Sequence, residues 1–306
     1  MNIKIFDVDR GFCSAIEADD YRTAPIDCGY SFRNNFRPSW YFLNHRTRHL
    51  DYLIVPAYTE EHLKGFSDLT SHLLEHNFSI DYLIANPSID ANSVSELAVR
   101  NPGTGKEIKL LNKLYNGQTN VDQMIHLGDV TISFFCNQYP EFLDVHNRSL
   151  VTFLYARDVN TIFPGNLKTQ GWRGLLRNPK FRDRLRQVNL FVASNHGQED
   201  GYCPEVFNYC SPDLIIIPNH VHQPLGADRI RQYERHARGL WTTFGKQRVL
   251  TTGDARTITI DRPPSESLQV ITQKHKVYSI RINRNRYLNA PRITPDGHLY
   301  DRTSEC

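Results

Sequence analysis

The sequence contains no uninterrupted apolar run that approaches the roughly 18 residues needed to cross a membrane. The segment Met1 to Ile5 also lacks the order of a signal peptide, which places a charged stretch before an apolar one and then small residues. No pair among the six cysteines has C-x-x-C spacing, and the chain is too long to need disulfides for its core. We therefore expect a reduced, cytoplasmic protein that has no membrane segment and no structural zinc knuckle.

The chain also has little excess charge of either sign. Its formal net charge of +3 is too small to indicate a nucleic-acid-binding protein from the overall field, so any basic binding surface must be local. Aromatic and turn-forming residues are abundant by contrast, with 16 Phe, 15 Tyr, 17 Gly and 16 Pro. This composition favours many short strands and turns around an aromatic core over a helical bundle.

Stretches that predict strands alternate with stretches that predict helices in both halves of the chain. Strands are expected at 50–55, 80–85, 130–135, 150–155, 161–163, 190–193 and 214–217, and helices at 67–76, 94–100, 106–115, 167–188 and 229–239. No proline-rich or serine-rich linker divides the two halves. We therefore predict an α+β fold in which the halves form one four-layer αββα sandwich.

Several short motifs occur in a characteristic order along the chain. They are Phe6-Asp7-Val8-Asp9-Arg10-Gly11, Ile26-Asp27-Cys28-Gly29, Glu61-His62-Leu63-Lys64-Gly65-Phe66, Leu127-Gly128-Asp129-Val130, Asn147-Arg148-Ser149-Leu150-Val151, Pro164-Gly165-Asn166 and Ser194-Asn195-His196-Gly197. In order and context they resemble the metallo-β-lactamase fold, and in particular the hydrolase domain of ComEC-type competence proteins. The resemblance covers about residues 1–272. It implies one metallo-β-lactamase-like domain over 1–272, followed by a basic C-terminal extension over 273–306.

The chemistry of the resembled family depends on metal ions. Its His-x-His-x-Asp-His motif follows a buried strand and helps to bind two zinc ions, which turn a bridging water into a nucleophile. The aligned segment here is Ala57-Tyr58-Thr59-Glu60-Glu61-His62. Because Ala57 and Thr59 replace both histidines of the first metal, we expect that metal site to be absent.

The resemblance leaves four candidate ligands for the second metal: Glu61, His62, Asn166 and His196. Glu61 replaces an aspartate, and Asn166 replaces an aspartate that bridges the two metals in the family. This set would hold a divalent zinc or manganese ion only weakly. Two alternatives stay open: the residues are hydrogen-bonded relics and there is no cofactor, or they retain one weakly held metal. No catalytic residue is assigned.

Three further residues are expected at the substrate pocket: Tyr58, Asn195 and His222. His222 is the positional match to a Gly-His-Pro segment that lines the cleft in ComEC-like domains, and a surface or supporting role is its alternative. Residues two apart in an extended chain point in opposite directions, so joint chelation of a metal by His220 and His222 is disfavoured.

A run of positive charge lies in the predicted helix 167–188. It consists of Lys168, Arg173, Arg177, Lys180, Arg182, Arg184 and Arg186, opposed there only by Asp183. Helical spacing would place Arg173, Arg177 and Lys180 on one face, and Arg184 extends the basic surface. Such a run is either a solvated helix face or a docking surface for nucleic acid or an acidic protein.

Three functional hypotheses follow from these observations. The first is a pseudo-hydrolase with a degenerate metal site, which has a binding or regulatory role with a protein partner. The second is a single-metal phosphodiesterase or nuclease that acts on nucleic acid or nucleotides. The third is a module that binds nucleic acid through the basic helix without cutting it.

Overall fold

The computed structural model describes residues 1–9, 11–44, 49–88, 105–114, 123–138, 140–219, 224–242, 245–264, 268–273, 278–279, 292–293 and 299–300. The strands are β1 (Asn2–Ile5), β2 (Ser14–Glu17), β3 (Thr23–Ile26), β4 (His49–Ile54), β5 (Ser79–Ile84), β6 (Ile125–Leu127), β7 (Val130–Phe135), β8 (Val151–Ala156), β9 (Val159–Phe163), β10 (Leu190–Val192), β11 (Leu214–Ile217), β12 (Leu240–Thr242), β13 (Gly245–Gln247), β14 (Val249–Thr251), β15 (Ile258–Asp261), β16 (Gln269–Thr272), β17 (Tyr278–Ser279), β18 (Arg292–Ile293) and β19 (Leu299–Tyr300). The helices are α1 (Pro38–Leu43), α2 (Glu60–Leu63), α3 (Phe66–Glu75), α4 (Gly105–Leu114), α5 (Thr169–Leu176), α6 (Pro179–Leu185), α7 (Ala227–Glu234) and α8 (Thr252–Ala255).

Two large sheets form the centre of the molecule. The first has eight strands in the order β17-β16-β15-β1-β2-β3-β4-β5, and the second has seven in the order β14-β11-β10-β9-β8-β7-β6. In the first sheet β3, β4 and β5 run parallel, and in the second β9, β10, β11 and β14 do so. The carboxyl ends of parallel strands meet at one edge of a sheet, so the loops after them gather there.

The buried residues form three apolar layers that explain the stacking. One cluster fills the space between the sheets and includes Ile3, Ile16 and Ile216. A second packs α1, α3 and α4 on the first sheet, and a third packs α5, α6 and α7 on the second. Helices therefore cover both outer faces, and the predicted α+β, four-layer αββα sandwich is confirmed.

Most of the expected elements are present with small changes at their ends. The strand at 130–135 matches β7, and the helices at 67–76 and 106–115 match α3 and α4. The helix expected at 94–100 lies outside the described residues. These elements were predictable because their apolar residues recur with a clear period along the sequence.

The prediction of a single basic helix over 167–188 was wrong. Two helices, α5 and α6, occupy this stretch and are separated at Asn178. The Asn178 side chain accepts a hydrogen bond from the Lys180 backbone N–H at 2.9 Å, and Pro179 follows as the first residue of α6. An N-cap followed by proline starts a new helix, so the two basic segments do not share one helical face.

The predicted boundary at residue 272 coincides with the end of β16. Beyond Gln273, the next described residues are Tyr278 and Ser279, which pair with β16 in the first sheet. Arg281, Arg284 and Arg286 lie outside the described residues, and the separate C-terminal extension stays a prediction.

No helix in the described ranges has both the length and the apolar content required to span a membrane. No disulfide joins cysteines within the same ranges.

Gly65 provides a test of how tightly α2 and α3 pack on the end of β3. A Cβ atom at Gly65 would lie 2.3 Å from the carbonyl oxygen of Cys28, which also accepts the Gly65 N–H at 3.0 Å. We expect Gly65→Ala to lower the free energy of unfolding by about 1–3 kcal/mol, because backbone must move to admit the methyl group. Urea denaturation measures this change. A Gly-to-Ala change without steric cost is instead mildly stabilising, so an unchanged or raised stability would contradict the packing.

Candidate functional site

A small cleft lies where loops from both sheets meet. It is bounded by residues that follow β3, β4, β9, β10 and β11, together with His62 of α2, and its open volume is about 290 Å³. Its lining is Phe12, Ile26, Asp27, Pro56, His62, Phe163, Pro164, Gly165, Asn166, Val192, Ala193, His196 and Pro218. The structure therefore brings together three of the predicted metal-site residues: His62, Asn166 and His196.

His62 is fixed by a buried carboxylate. Its side chain is almost fully buried, and its Nδ1 lies 2.5 Å from Oδ2 of Asp27. Asp27 comes directly after β3 with a left-handed φ of 65°, and its N–H donates to the carbonyl of Ile54 at 2.8 Å. The bend in the chain thus turns the carboxylate inward toward α2. A carboxylate on Nδ1 fixes the orientation of the imidazole ring.

His196 enters the same cleft from a strained turn. Asn195, His196 and Gly197 have consecutive left-handed φ values of 46°, 55° and 72°. The His196 Nδ1 lies 3.2 Å from the carbonyl oxygen of Pro218, and its ring centroid is 6.0 Å from that of His62. Because two of these three residues are not glycine, the turn costs conformational energy that the surrounding contacts must offset.

Asn166 and Thr59, which the motif resemblance aligns with two metal-ligand positions, contact each other. The Asn166 side-chain amide donates to Oγ1 of Thr59 at 3.3 Å, and the Asn166 backbone N–H donates to Oγ of Ser149 at 3.1 Å. Both Asn166 and Thr59 are buried. The contact is therefore a hydrogen bond between a neutral amide and a hydroxyl.

Burial raises the pKa of Asp27 to about 6, and the charge and hydrogen bond of His62 oppose that rise. The carboxyl group is completely buried, and its Oδ1 makes no hydrogen bond to another described residue. Removing a carboxylate from water penalises its charged form, which explains the direction of the shift.

The other predicted pocket residues are placed differently. Tyr58 is buried in the hydrophobic cluster beneath the helices of the first sheet and does not line the cleft. The Asn195 amide donates to Oδ1 of Asp200 at 2.6 Å, outside the cleft lining. Glu61 belongs to α2, but its side chain lies outside the described residues, as does all of His222. The pocket roles of Tyr58 and Asn195 thus find no support in their positions.

The four predicted basic-surface residues have different surroundings. Arg173 pairs with Glu205 at 2.6 Å, and Arg177 pairs with Glu141 at 3.4 Å. Arg184 lies over the Tyr155 ring at 5.2 Å, and Lys180 is exposed on α6. Intramolecular carboxylates therefore offset part of the charge that the sequence presented as one stripe.

An exposed arginine–aromatic cluster outside the cleft lining was not identified from the sequence. It consists of Tyr30, Phe32, Arg37 and Trp40, with the Arg37 guanidinium 4.8 Å from the Trp40 ring and 5.8 and 5.9 Å from the rings of Tyr30 and Phe32. Phe32 is 72% exposed and Trp40 is 44% exposed. The local concentration of aromatic and basic residues between 30 and 40 is the sequence signal that would have indicated it.

The role of Asp27 in the site was also missed. Its motif, Ile26-Asp27-Cys28-Gly29, was used only as an indication of fold. An acidic residue at the end of an apolar strand is a recognisable sign of a site residue. Nothing in the local sequence, however, identifies His62, 35 positions later, as the partner of Asp27.

The described donors in the cleft do not fit a two-metal centre. They are the imidazoles of His62 and His196 and the amide of Asn166, while the Asp27 carboxylate is hydrogen-bonded to His62. Ala57 and Thr59 supply no imidazole. Within the described ranges, one group of three His or Asp side chains has metal-binding proximity, and it lies elsewhere, at His49, Asp51 and Asp81.

Comparison with known proteins relates this fold to solved structures. The metallo-beta-lactamase fold protein YhfI from Bacillus subtilis superposes with a TM-score of 0.51 at 10% identity, over 82% of this chain and 95% of that one. A diphosphatase of the PhnP family gives 0.42 at 9% identity, over 71% and 85%. Zn²⁺-bound PqqB from Methylobacterium extorquens gives 0.38 at 12% identity, over 63% and 70%. No family model and no curated protein matches the sequence.

The chain therefore has the metallo-β-lactamase fold. This assignment rests on the two-sheet topology and on the similarity to YhfI, which spans nearly the whole of that protein. At 10% identity the similarity concerns the fold, and the chemistry must be argued from the cleft itself.

The burial of Asp27 predicts that wild type and Asp27→Asn differ in unfolding free energy by an amount that depends on pH. Because its folded pKa of about 6 exceeds the ordinary 3.8, the folded protein binds this proton more tightly than the unfolded chain. This contribution to stability is fully present below about pH 4 and is lost as the pH rises through 6. Relative to wild type, Asp27→Asn should therefore gain at most about 3 kcal/mol in unfolding free energy between these pH values.

Urea denaturation at several pH values from 4 to 7 measures this difference. Asp20→Asn, which changes an exposed carboxylate, is the control and should follow the wild-type profile. An offset between Asp27→Asn and wild type that stays constant with pH would contradict the assigned shift.

Proposed function

We propose that this protein is a pseudo-hydrolase: a metallo-β-lactamase-fold chain that has lost the two-metal centre and uses its scaffold to bind a protein partner. The motif order supports placing it beside ComEC-like hydrolase domains. The observation that carries the proposal is the Asn166–Thr59 hydrogen bond at 3.3 Å. It joins two substituted positions by a neutral contact that satisfies buried polar groups without an ion.

The histidines support the same conclusion. The His62 Nδ1 is bound to a fully buried carboxylate, and the chain beyond it is tied back by the Cys28 N–H, which donates to the His62 carbonyl at 3.1 Å. These contacts hold α2 against the end of β3. Hydrogen bonds within the chain thus fix the loops of the cleft, as a scaffold requires.

The arginine–aromatic cluster supports a binding role. It begins three residues after Asp27, and the Lys64 ammonium, two residues beyond His62, lies 6.0 Å from the Tyr30 ring. Tryptophan, tyrosine and arginine are enriched among the residues that dominate protein–protein affinity. A protein partner seated there would also cover the exposed Phe32 ring.

A single-metal phosphodiesterase or nuclease is the second candidate function. It is favoured by the contacts of the two cleft imidazoles. The Nδ1 of His62 contacts the Asp27 carboxylate, and the Nδ1 of His196 contacts the Pro218 carbonyl oxygen. Metal-binding histidines usually carry such a partner on the ring nitrogen that does not bind the ion. His62, His196 and Asn166 would hold a single zinc or manganese ion, which would activate water when bound.

Hydrolysis assays separate these two candidates. With bis-p-nitrophenyl phosphate and added zinc or manganese, we expect wild type and the His62→Ala/His196→Ala double variant to be equally inactive. Steady-state rates measure this. Measurable wild-type turnover that falls at least 100-fold in the double variant would contradict the pseudo-hydrolase proposal and favour the single-metal enzyme. Circular dichroism verifies that the double variant is folded.

A nucleic-acid-binding module is a third candidate, and the arginine–aromatic cluster favours it more than α5 and α6 do. Arg33 and Lys64 are exposed near the cluster, while the Arg37 charge is shared with Asp68 at 3.4 Å. Exposed rings interleaved with cations form the stacking surfaces of single-strand-binding proteins.

A salt titration with a fluorescent single-stranded oligonucleotide tests this third candidate. Under the pseudo-hydrolase proposal no binding is expected at about 50 mM salt. If binding occurs, Trp40→Ala should weaken it by about 1–3 kcal/mol through lost stacking, whereas Arg173→Ala should have little effect. Trp241→Ala is the matched control, because Trp241 is 71% exposed with the Lys246 ammonium 5.8 Å from its ring. Salt-sensitive binding that Trp40→Ala weakens would establish the third candidate.

A further inference from the structure

His49, Asp51 and Asp81 lie together on two neighbouring strands of the first sheet. β4 and β5 pair in parallel with His49 opposite Ser79 and Leu50 opposite Ile80, which places Asp51 beside Asp81. One potential ligand atom from each of the three side chains lies within 4.8 Å of the other two. This group is at the amino-terminal part of β4, whereas the cleft begins after its carboxyl end. The length of the strand, about 3.3 Å per residue, separates the two places.

The two carboxylates are already oriented by neighbouring groups. The Thr23 backbone N–H donates to Oδ2 of Asp51 at 2.9 Å, and the Ser79 hydroxyl donates to Oδ1 of Asp81 at 3.2 Å. On the next pair of positions, Tyr52 and Tyr82 stack with ring centroids 5.6 Å apart. Hydrogen bonds of this kind reduce the freedom that metal-binding carboxylates lose on binding.

The carboxylates of Asp51 and Asp81 lie close together at this place. Like charges on directly opposed residues of neighbouring strands are destabilising. The nearby Arg22 Nε is 3.9 Å from Oδ1 of Asp51 but only 3.5 Å from Oδ2 of Asp20, so Arg22 is shared with another carboxylate. His49 Nε2 lies 3.7 Å from Oδ2 of Asp51, beyond hydrogen-bond distance. A divalent cation would relieve this repulsion and bring the three groups closer.

We propose that His49, Asp51 and Asp81 bind one divalent transition-metal ion, with zinc as the best match. One imidazole and two carboxylates form a donor set of the kind zinc accepts, with water in the remaining position. Zinc requires bonds of about 2 Å, so the three side chains would rotate to bring their ligand atoms onto the ion. The ion would join β5, the last strand of the first sheet, to β4 and so hold an edge strand in place. This inference does not depend on the proposed function.

Zinc titration of the metal-free full chain by isothermal calorimetry tests the proposal. We expect one equivalent to bind to wild type, and Asp81→Asn and His49→Gln to weaken binding by roughly tenfold or more. Glu75→Gln is the control, since it changes an exposed carboxylate on α3 outside the three-residue group and should bind as wild type does. Zinc should also raise the unfolding temperature of wild type but not of Asp81→Asn.

The outcomes separate this site from the cleft. Binding lost in Asp81→Asn and kept in His62→Ala/His196→Ala supports the proposal. No zinc binding to wild type, unchanged binding to Asp81→Asn, or binding lost only in the cleft double variant would each overturn it. The last result would also count against the pseudo-hydrolase, whereas the first two leave that proposal standing.

Discussion

The contact between the Asp27 carboxylate and the His62 imidazole is the constraint on which the cleft depends. It joins the end of β3 to α2 at a position where both side chains are almost fully buried, with 2.5 Å between oxygen and nitrogen. A buried charge is tolerated only with a partner, so neither group can turn away alone without a large free-energy cost. Gly65 packs closely on the carbonyl of Cys28, the residue that follows Asp27.

The same region shows how contacts within the chain order the loops of the cleft. The loop after β9 is held by hydrogen bonds from Asn166 to Thr59 and Ser149. The strained turn at Asn195 and His196 is held by the Pro218 carbonyl and by Asp200. These contacts give the buried polar groups hydrogen-bond partners, which a stable cleft requires.

The sequence predicted the layers because apolar periodicity reports strands and helices. The convergence of His62, Asn166 and His196 was expected from the motif resemblance, and all three line the cleft. Sequence reasoning failed where the answer depends on distant partners. Tyr58 follows a buried strand as a pocket residue would, yet it packs into the core. The arginines of α5 and α6 form a stripe in the sequence, but Glu205 and Glu141 reach two of them from other segments.

The two ends of β4 present different donor groups. Beyond its carboxyl end, the Thr59 hydroxyl accepts a hydrogen bond from the neutral Asn166 amide. Toward its amino end, an imidazole and two carboxylates crowd together on β4 and β5. Divalent ions respond to local donor chemistry, independent of the ancestry of the fold that presents it. The presence of metal in this protein would therefore carry no information about hydrolysis until the ion is assigned to one end of that strand.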